Sequence, residues 1–232
     1  MTTLIKYIKN GVYIPFLHIL LFLYTQNVFL SSILIFKLYP ANYFFWFYYL
    51  YPYEGFPKWL PYLKQFTRFT DTGHLASLVY FYYPSFFPIA YNIHFTITFG
   101  FWIGKLCFLS QDRDARDGPD IIKPFMNYWS YCNHIFPLLL MIREFYNKDY
   151  ELCSYDLFTK ADLYYSYLWI YIWLCYIYMP WRFVTKDVMY SILAYETPTM
   201  KKVYFILFMH LLFYISNESG SLLRSMVCSY TF

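Results

Sequence analysis

Long apolar runs joined by short polar linkers make up most of this chain, and this pattern limits its fold more than any other feature. A run of about 20 apolar residues can cross a bilayer as a helix. Only 14% of the 232 residues are charged, whereas a soluble domain carries about 25% charged residues. The chain lacks the polar surface that a soluble protein of this length needs, and we therefore expect an integral membrane protein.

The apolar runs predict an all-α fold, a polytopic membrane helix bundle with about six transmembrane helices. Pro84 and Pro88 divide one very long run, because proline breaks the interior of a helix. We expect Pro180 and the polar run Ser216–Ser221 to interrupt the last two helices near their ends. No internal repeat or soluble segment is visible in the sequence, so we treat residues 1–232 as a single integral membrane domain. The predicted spans are Val12–Ile35, Phe69–Tyr83, Phe86–Leu109, Phe125–Tyr146, Leu163–Phe183 and Val203–Val227.

A separate aromatic segment, YPANYFFWFYYLYPY, covers Tyr39–Tyr53 and is bounded by prolines. It is short for a transmembrane helix. Tyrosine and tryptophan concentrate at the membrane–water interface, where the ring is buried and its polar group reaches water. The segment is therefore predicted to lie at the interface rather than to cross the membrane.

The amino-acid composition is unusual even for a membrane protein, with 30 Tyr and 26 Phe but only 7 Gly. Tyrosine and phenylalanine have AT-rich codons, while glycine has GC-rich ones. The composition resembles that of AT-rich, mitochondrially encoded membrane subunits of protists, although an AT-rich nuclear genome would give the same bias. Transmembrane helices usually approach each other through small residues, so we expect aromatic rings to fill wider gaps between these helices.

Charge and cysteine patterns limit the orientation and the partners of the chain. Most lysines and arginines fall in the odd-numbered linkers, which predicts that these linkers face the matrix or cytosol and that both termini face the other way. The net charge is +4, and no basic cluster interleaves with aromatic residues, so no nucleic-acid partner is expected. The five cysteines are scattered without a CxxC pair, so neither a disulfide framework nor a zinc site is expected.

Histidines inside the predicted spans are the first candidates for chemistry, because ionisable residues at membrane depth are costly. A neutral imidazole can nevertheless be satisfied by one donor and one acceptor. A membrane cytochrome would need paired histidines and glycines that make room for haem, and only Gly100 and Gly104 lie in a span near one of them. We expect no cofactor and no metal. The histidines well inside spans are His18, His94, His134 and His210, and His74 lies near the start of the short second span.

Four stretches together resemble the androgen-induced family of six-span membrane hydrolases, which act on fatty-acid esters of hydroxy fatty acids. They are FWIGKLCFLSQDRD, PFMNYWSYCNHIFPLLLMIRE, YLWIYIWLCYIYMPWRFV and LLFYISNES. The resemblance implies that His134, just before a proline-containing helix segment, acts with a threonine near the start of an earlier helix. Thr67 or Thr70, in QFTRFTDTGHLASL, stands at that position. A histidine base would activate the threonine hydroxyl as a nucleophile.

This chain also departs from the family pattern. Tyr131, Cys132 and Ile135 surround His134 where the family has a second histidine and a threonine. The linker between the second and third predicted helices is also much shorter. These differences weaken the implied activity more than the implied fold.

Two classes of function remain open from the sequence. The first is a non-catalytic accessory or structural membrane subunit of a larger assembly, in a respiratory-chain complex of the mitochondrial inner membrane. Its partners would be other membrane protein subunits and membrane lipids. The second is an intramembrane lipid-ester hydrolase that uses His134 with Thr67 or Thr70. We favour the subunit, because no complete catalytic constellation is visible in the sequence.

Overall fold

The computed structural model describes residues 19–34, 67–108, 123–186 and 190–229. These residues form helices and the turns between them, with no strand among them, which confirms the all-α class for this part of the chain. Two short 3-10 turns cover Pro84–Phe86 and Ser191–Leu193. The α-helices are α1 (19–25), α2 (28–34), α3 (Phe69–Tyr82), α4 (Phe87–Phe108), α5 (Lys123–Asn147), α6 (Asp149–Cys153), α7 (Lys160–Ile172), α8 (Met179–Thr185) and α9 (Thr199–Cys228).

The chain divides into two compact units, residues 1–65 with 111–133 and residues 66–110 with 134–232. In the first unit, the predicted span Val12–Ile35 is broken between α1 and α2. Gln26 has a φ of 50°, and the Asn27 side chain accepts a hydrogen bond from the Leu30 amide at 2.9 Å. Asn27 thus caps a new helix. The predicted aromatic segment Tyr39–Tyr53 lies outside the described residues.

The second unit contains α3, α4, α9 and the part of α5 from His134 onwards. Each of these four helices begins and ends close to a predicted span. The turn between α3 and α4 starts at Pro84, which occupies its first position. Proline fits there, because the first residues of a helix need no N–H donor within the helix. The prolines therefore separate these two helices as predicted.

The expected interruptions in the last two helices are wrong. The backbone stays helical from Lys160 to Thr185, with a π-helical segment at Trp173–Tyr178 just before Pro180. The proline ring clashes with the carbonyl of the fourth residue before it, and the wider π turn accommodates that ring without ending the helix. α9 likewise continues through Ser216–Ser221, because neighbouring segments bind its polar side chains.

Aromatic rings make up a large share of the core of the second unit, beside aliphatic side chains. α4 is the central helix and packs against α3, α7 and α9. The Phe87 ring lies 5.1 Å from the Phe145 ring and 6.1 Å from the Phe158 ring, measured between centroids. Glycine is used where a closer approach is needed, since a Cβ at Gly220 would overlap the ring of Phe158.

One helix among the described residues is both long enough and apolar enough to cross a membrane, namely Thr199–Cys228. Only 17% of its most apolar window is buried inside the chain. The core helix of a soluble protein would be mostly buried. The described part of the chain therefore leaves most of the apolar surface of this helix uncovered.

Candidate functional site

Five buried polar residues form what we call the polar face of α3, four of them on α3 and one, Thr67, just before the helix begins. Spacings of three or four residues bring Thr70, His74 and Ser77 to one side of the helix, with Asp71 beside Thr70. All five are buried. Such a row inside an aromatic core must find hydrogen-bond partners on other helices. The polar face of α3 consists of Thr67, Thr70, Asp71, His74 and Ser77.

Thr70 and His134 meet at one end of this face. The Thr70 Oγ1 lies 3.1 Å from the His134 Nε2, within hydrogen-bond distance. The Phe101 ring stacks on the imidazole, with centroids 3.8 Å apart and planes 11° apart. Thr70 is buried, whereas His134 is partly exposed. The structure thus brings together two of the three residues that the sequence nominated for catalysis.

Thr67, the third nominated residue, lies three positions before Thr70 and is also buried. The hydroxyl of Thr70 lies within hydrogen-bond distance of His134. Thr70 is therefore the stronger nucleophile candidate, and Thr67 is a natural comparison for it.

The pair of Thr70 and His134 has the first requirement of a nucleophile and its base, which is a hydrogen bond between them. A neutral imidazole with Nε2 unprotonated could accept the hydroxyl proton while the oxygen attacks a carbonyl carbon. Ester hydrolysis also needs a group that orients the imidazole and donors that stabilise the oxyanion. The contact alone supplies the nucleophile and the base.

Ser77 and His94 form a second pair on the same face, which the sequence analysis identified only through His94. The Ser77 Oγ lies 2.7 Å from the His94 Nε2 and 3.8 Å from the Met141 sulfur. The backbone of Gly73 is a further hydrogen-bond partner of His94. Both members of the pair are fully buried. Because no side of this pair is open, we interpret it as a clamp that joins α3 to α4.

His74 lies between the two pairs and is completely buried. Its Nδ1 is 3.8 Å from the Asp71 Oδ1, and its ring centroid is 5.9 Å from that of His94. Asp71 lies in the first turn of α3, where a carboxylate interacts favourably with the helix dipole. The polar face of α3 thus contains one carboxylate and one imidazole, and the imidazoles of His94 and His134 contact it from neighbouring helices.

A different polar region joins α4, α7 and α9, and we call it the amide cluster: Asn92, Ser166, Ser216 and Asn217. The Asn92 Nδ2 donates to the Ser166 Oγ and to the Asn217 Oδ1, both at 3.1 Å. The Ser216 Oγ donates to the Asn92 Oδ1 at 2.8 Å. The Asn217 Nδ2 donates to the carbonyl of Phe158 at 2.9 Å. The side-chain amide of Asn92 is therefore fully used.

The remaining nominated histidines lie elsewhere. On α9, the His210 Nδ1 donates to the Ile206 carbonyl at 2.8 Å, so its Nε2 accepts from the Tyr171 hydroxyl at 2.9 Å. This pair lies near the surface and links α9 to α7. His18 falls outside the described residues.

A disulfide bond joins Cys153 of α6 to Cys228 at the end of α9. The expectation from cysteine spacing is therefore wrong for this pair. The two cysteines are 75 residues apart, and only the fold brings them together, so no local motif could reveal them. Cys132 and Cys175 are free thiols.

Within the described ranges, no three side chains of His, Cys, Asp or Glu lie close enough together to hold a metal ion. No protein-family model, curated protein or solved structure matches this chain. The functional assignment therefore rests on the geometry described above.

Proposed function

We propose that this chain is a non-catalytic accessory subunit of a membrane assembly, located in a respiratory-chain complex of the mitochondrial inner membrane. We further propose that it has six transmembrane helices, among them α9, the described helix that is both long enough and apolar enough to cross a membrane. The observation that carries the proposal is the distribution of polar and apolar side chains between the core and the surface.

α9 illustrates this distribution. Its buried residues include Ser216, Asn217 and Gly220 as well as apolar ones such as Leu212 and Phe213. Most of its exposed residues are large and apolar, although Lys201, Glu218, Ser221 and Ser225 are exposed too. In a water-soluble protein the arrangement is the reverse, with leucine and isoleucine inside. In a bilayer, polar groups gain by turning inward and apolar groups meet lipid. The exposed apolar residues of α9 include Leu207, Leu211, Ile215 and Leu222.

Exposed tyrosines argue for protein neighbours as well as lipid. Tyr164 on α7 and Tyr204 and Tyr214 on α9 are all more than 50% exposed. A phenolic hydroxyl within hydrocarbon loses free energy unless it finds a hydrogen-bond partner. Lipid chains offer no such partner, whereas a neighbouring subunit does. Apolar surface this extensive is typical of interaction sites.

The disulfide bond supports the orientation expected from the charges. Cys153 lies in the fourth linker and Cys228 at the end of the last helix, and the positive-inside rule puts both segments on the side away from the matrix or cytosol. Disulfide bonds persist in oxidising compartments. The excess of Tyr and Phe over Gly, which favours a mitochondrial gene product, also favours the mitochondrial inner membrane as its location.

A lipid-soluble photoreactive probe, activated in native membranes, tests this proposal. We expect labelling at Leu207, Leu211 and Ile215 wherever α9 faces lipid, and protection of Ser216 and Asn217. Membranes washed with alkaline carbonate should retain the chain. Release by carbonate, or labelling of the buried polar residues in preference to the leucines, would contradict the proposal.

A second candidate function, intramembrane hydrolysis of lipid esters, is favoured by the contact between Thr70 and His134. Purified chain in detergent should then hydrolyse a fatty-acid ester of a hydroxy fatty acid. Thr70→Ala removes the nucleophile and His134→Ala removes the base, so each should lower the rate of hydrolysis at least about a hundredfold. Thr67→Ala is the matched control and should keep the rate. Equal rates in wild type and His134→Ala would eliminate this candidate.

A further inference from the structure

Arg182 is a buried cation in α8, near the end of the fifth predicted span. Only 6% of its surface is exposed. Its Nη1 donates to the carbonyl of Leu193, and the Tyr195 ring lies 4.0 Å from the guanidinium carbon. These contacts satisfy one nitrogen and one face of the guanidinium.

The other edge of the guanidinium is unsatisfied. Neither Nε nor Nη2 has a hydrogen-bond acceptor among the described residues. These two nitrogens project parallel N–H groups, the arrangement that binds two oxygens of a phosphate or carboxylate at once. A buried charge without a counter-charge is costly. The edge formed by Nε and Nη2 therefore suits a group that carries two anionic oxygens.

An apolar cleft begins at the same Leu193 that accepts the hydrogen bond from Arg182. The cleft is partly open and has a volume of about 40 Å³. Besides Leu193, it is lined by side chains from the end of α7, from the π-helical segment Trp173–Tyr178 and from α9. It is far smaller than the roughly 300–1,000 Å³ of a cofactor or drug site. Its lining, which includes Trp173, Phe205 and Met209, suits a stretch of hydrocarbon chain.

We propose that Arg182 binds the phosphate of an anionic phospholipid through Nε and Nη2, while one acyl chain of that lipid lies against the cleft at Leu193. A free phosphate would use the charge but not the cleft, and a partner's carboxylate would not use the apolar lining. The proposal rests on the membrane location proposed above and adds a specific lipid class to it.

The Tyr195 side chain covers one face of the guanidinium. It is 80% exposed, so it can turn outward without disturbing the core. Phe183 and Val184, which follow Arg182 on α8, are also exposed and extend the apolar surface beside the charge. The region thus combines one buried cation with surrounding hydrocarbon surface, as a lipid headgroup site does.

Native mass spectrometry of the full chain, purified in detergent, tests the site. The chain is mixed with equal amounts of dioleoyl phosphatidylglycerol and dioleoyl phosphatidylcholine, and the retained lipid is measured for each variant. Wild type should retain phosphatidylglycerol preferentially. Arg182→Gln should lower that retention at least about tenfold, because it removes a charge-assisted bidentate contact.

Two further variants separate the bidentate contact from general positive charge and from misfolding. Arg182→Lys keeps the charge but loses the paired N–H groups, so it should give intermediate retention. Lys186→Gln removes an exposed cation from the end of the same helix and should change retention less than about twofold, as expected for a screened surface charge. Equal losses in Arg182→Gln and Lys186→Gln, or equal retention of both lipids by wild type, would overturn the proposal.

One more arm identifies a competing occupant of the edge. Millimolar inorganic phosphate should fail to displace the lipid; complete displacement would show a free-anion site and overturn the lipid assignment. Carbonate extraction of the membranes from which each variant is purified reports on the membrane location separately, so failure of the lipid site would not be confused with failure of the proposed function.

Discussion

The amide cluster and the polar face of α3 are both buried and both hydrogen-bonded, yet they differ in the chemistry available to them. Asn92 and His94 are two residues apart on α4, so their side chains leave different sides of that helix. Asn92 faces α7 and α9, where amide and hydroxyl groups bind it. His94 faces α3, where it meets Ser77 in a row that also contains Asp71 and His74.

The amide cluster and the polar face of α3 therefore differ in whether they can support chemistry. Amides and hydroxyls of the amide cluster do not titrate near neutral pH and use their donors and acceptors on one another, so the cluster fixes helix positions. The polar face of α3 contains groups that can gain or lose a proton, and one of its pairs, Thr70 with His134, is partly accessible. Stability should depend most on the amide cluster, and any activity should depend on the polar face.

The largest effect is expected from Asn92→Asp, which replaces the donating Nδ2 by an oxygen facing Ser166 and Asn217. Two hydrogen bonds are lost and acceptors face each other in a buried site, so the free energy of unfolding should fall by about 3 kcal/mol or more. Thermal unfolding in detergent, followed by tryptophan fluorescence, measures this. Asn147→Asp, at an exposed position, makes the same chemical change and should stay within about 0.5 kcal/mol. Similar losses in both variants would refute a structural role for the cluster.

Gly220→Ala is expected to have the next largest effect, at about 1–3 kcal/mol of destabilisation from overpacking. The added Cβ would overlap three ring atoms of Phe158, the residue whose carbonyl binds Asn217 in the amide cluster. Gly100→Ala is the matched control, since its Cβ would lie 3.6 Å from the Leu212 Cδ1, an ordinary contact. That variant should be neutral or slightly stabilising, because alanine favours the helix. A larger loss of stability for Gly100→Ala than for Gly220→Ala would show that Phe158 does not pack closely against Gly220.

Ser77→Ala and Thr70→Ala compare the two pairs on the polar face of α3 directly. Ser77→Ala leaves His94 buried without its partner and should cost about 1–3 kcal/mol of stability. Thr70→Ala should cost less, about 0.5–1 kcal/mol, because His134 is partly exposed and can find another partner. Unfolding curves of the two variants under one set of conditions decide the order. A larger loss of stability for Thr70→Ala would show that the Thr70–His134 pair, and not the Ser77–His94 pair, has the structural role.

The smallest effect is expected from Tyr190→Phe, which removes the hydroxyl that accepts a hydrogen bond from the Phe69 amide at 3.0 Å, at the start of α3. The cost should be about 0.5 kcal/mol at neutral pH. Burial raises the pKa of Tyr190 above its ordinary value, so the hydroxyl stays neutral in the folded chain while an unfolded chain ionises near pH 10. This contribution to stability is present below pH 10 and is lost as the pH rises above it. Stability curves of wild type and variant should therefore converge above pH 10, and parallel curves would contradict this.

The sequence predicted helix positions better than it predicted the links between helices. Apolar runs and the prolines after α3 placed α3, α4, α5 and α9, because burial and proline geometry act locally. The break at Gln26, the π segment before Pro180 and the continuity of α9 depend on partners that are distant in sequence. Cys153 and Cys228 likewise carry no local motif.

The candidate site was predicted in part, for the same reason. The resemblance to a hydrolase family nominated His134 with Thr67 or Thr70, and the fold places Thr70 against His134. Ser77 was missed, because a serine in an apolar helix gives no sign of its partner until α4 is placed beside it. A search for polar residues spaced three or four apart along α3 would have found the whole row.

Native gel electrophoresis of mitochondria solubilised in mild detergent tests the central proposal most directly, with the chain detected by an epitope tag. The account predicts that the chain co-migrates with a respiratory complex and that His134→Ala migrates in the same way, because the histidine has no catalytic task in a structural subunit. Migration of the wild-type chain alone at its monomer size, together with ester hydrolysis that His134→Ala abolishes, would contradict it.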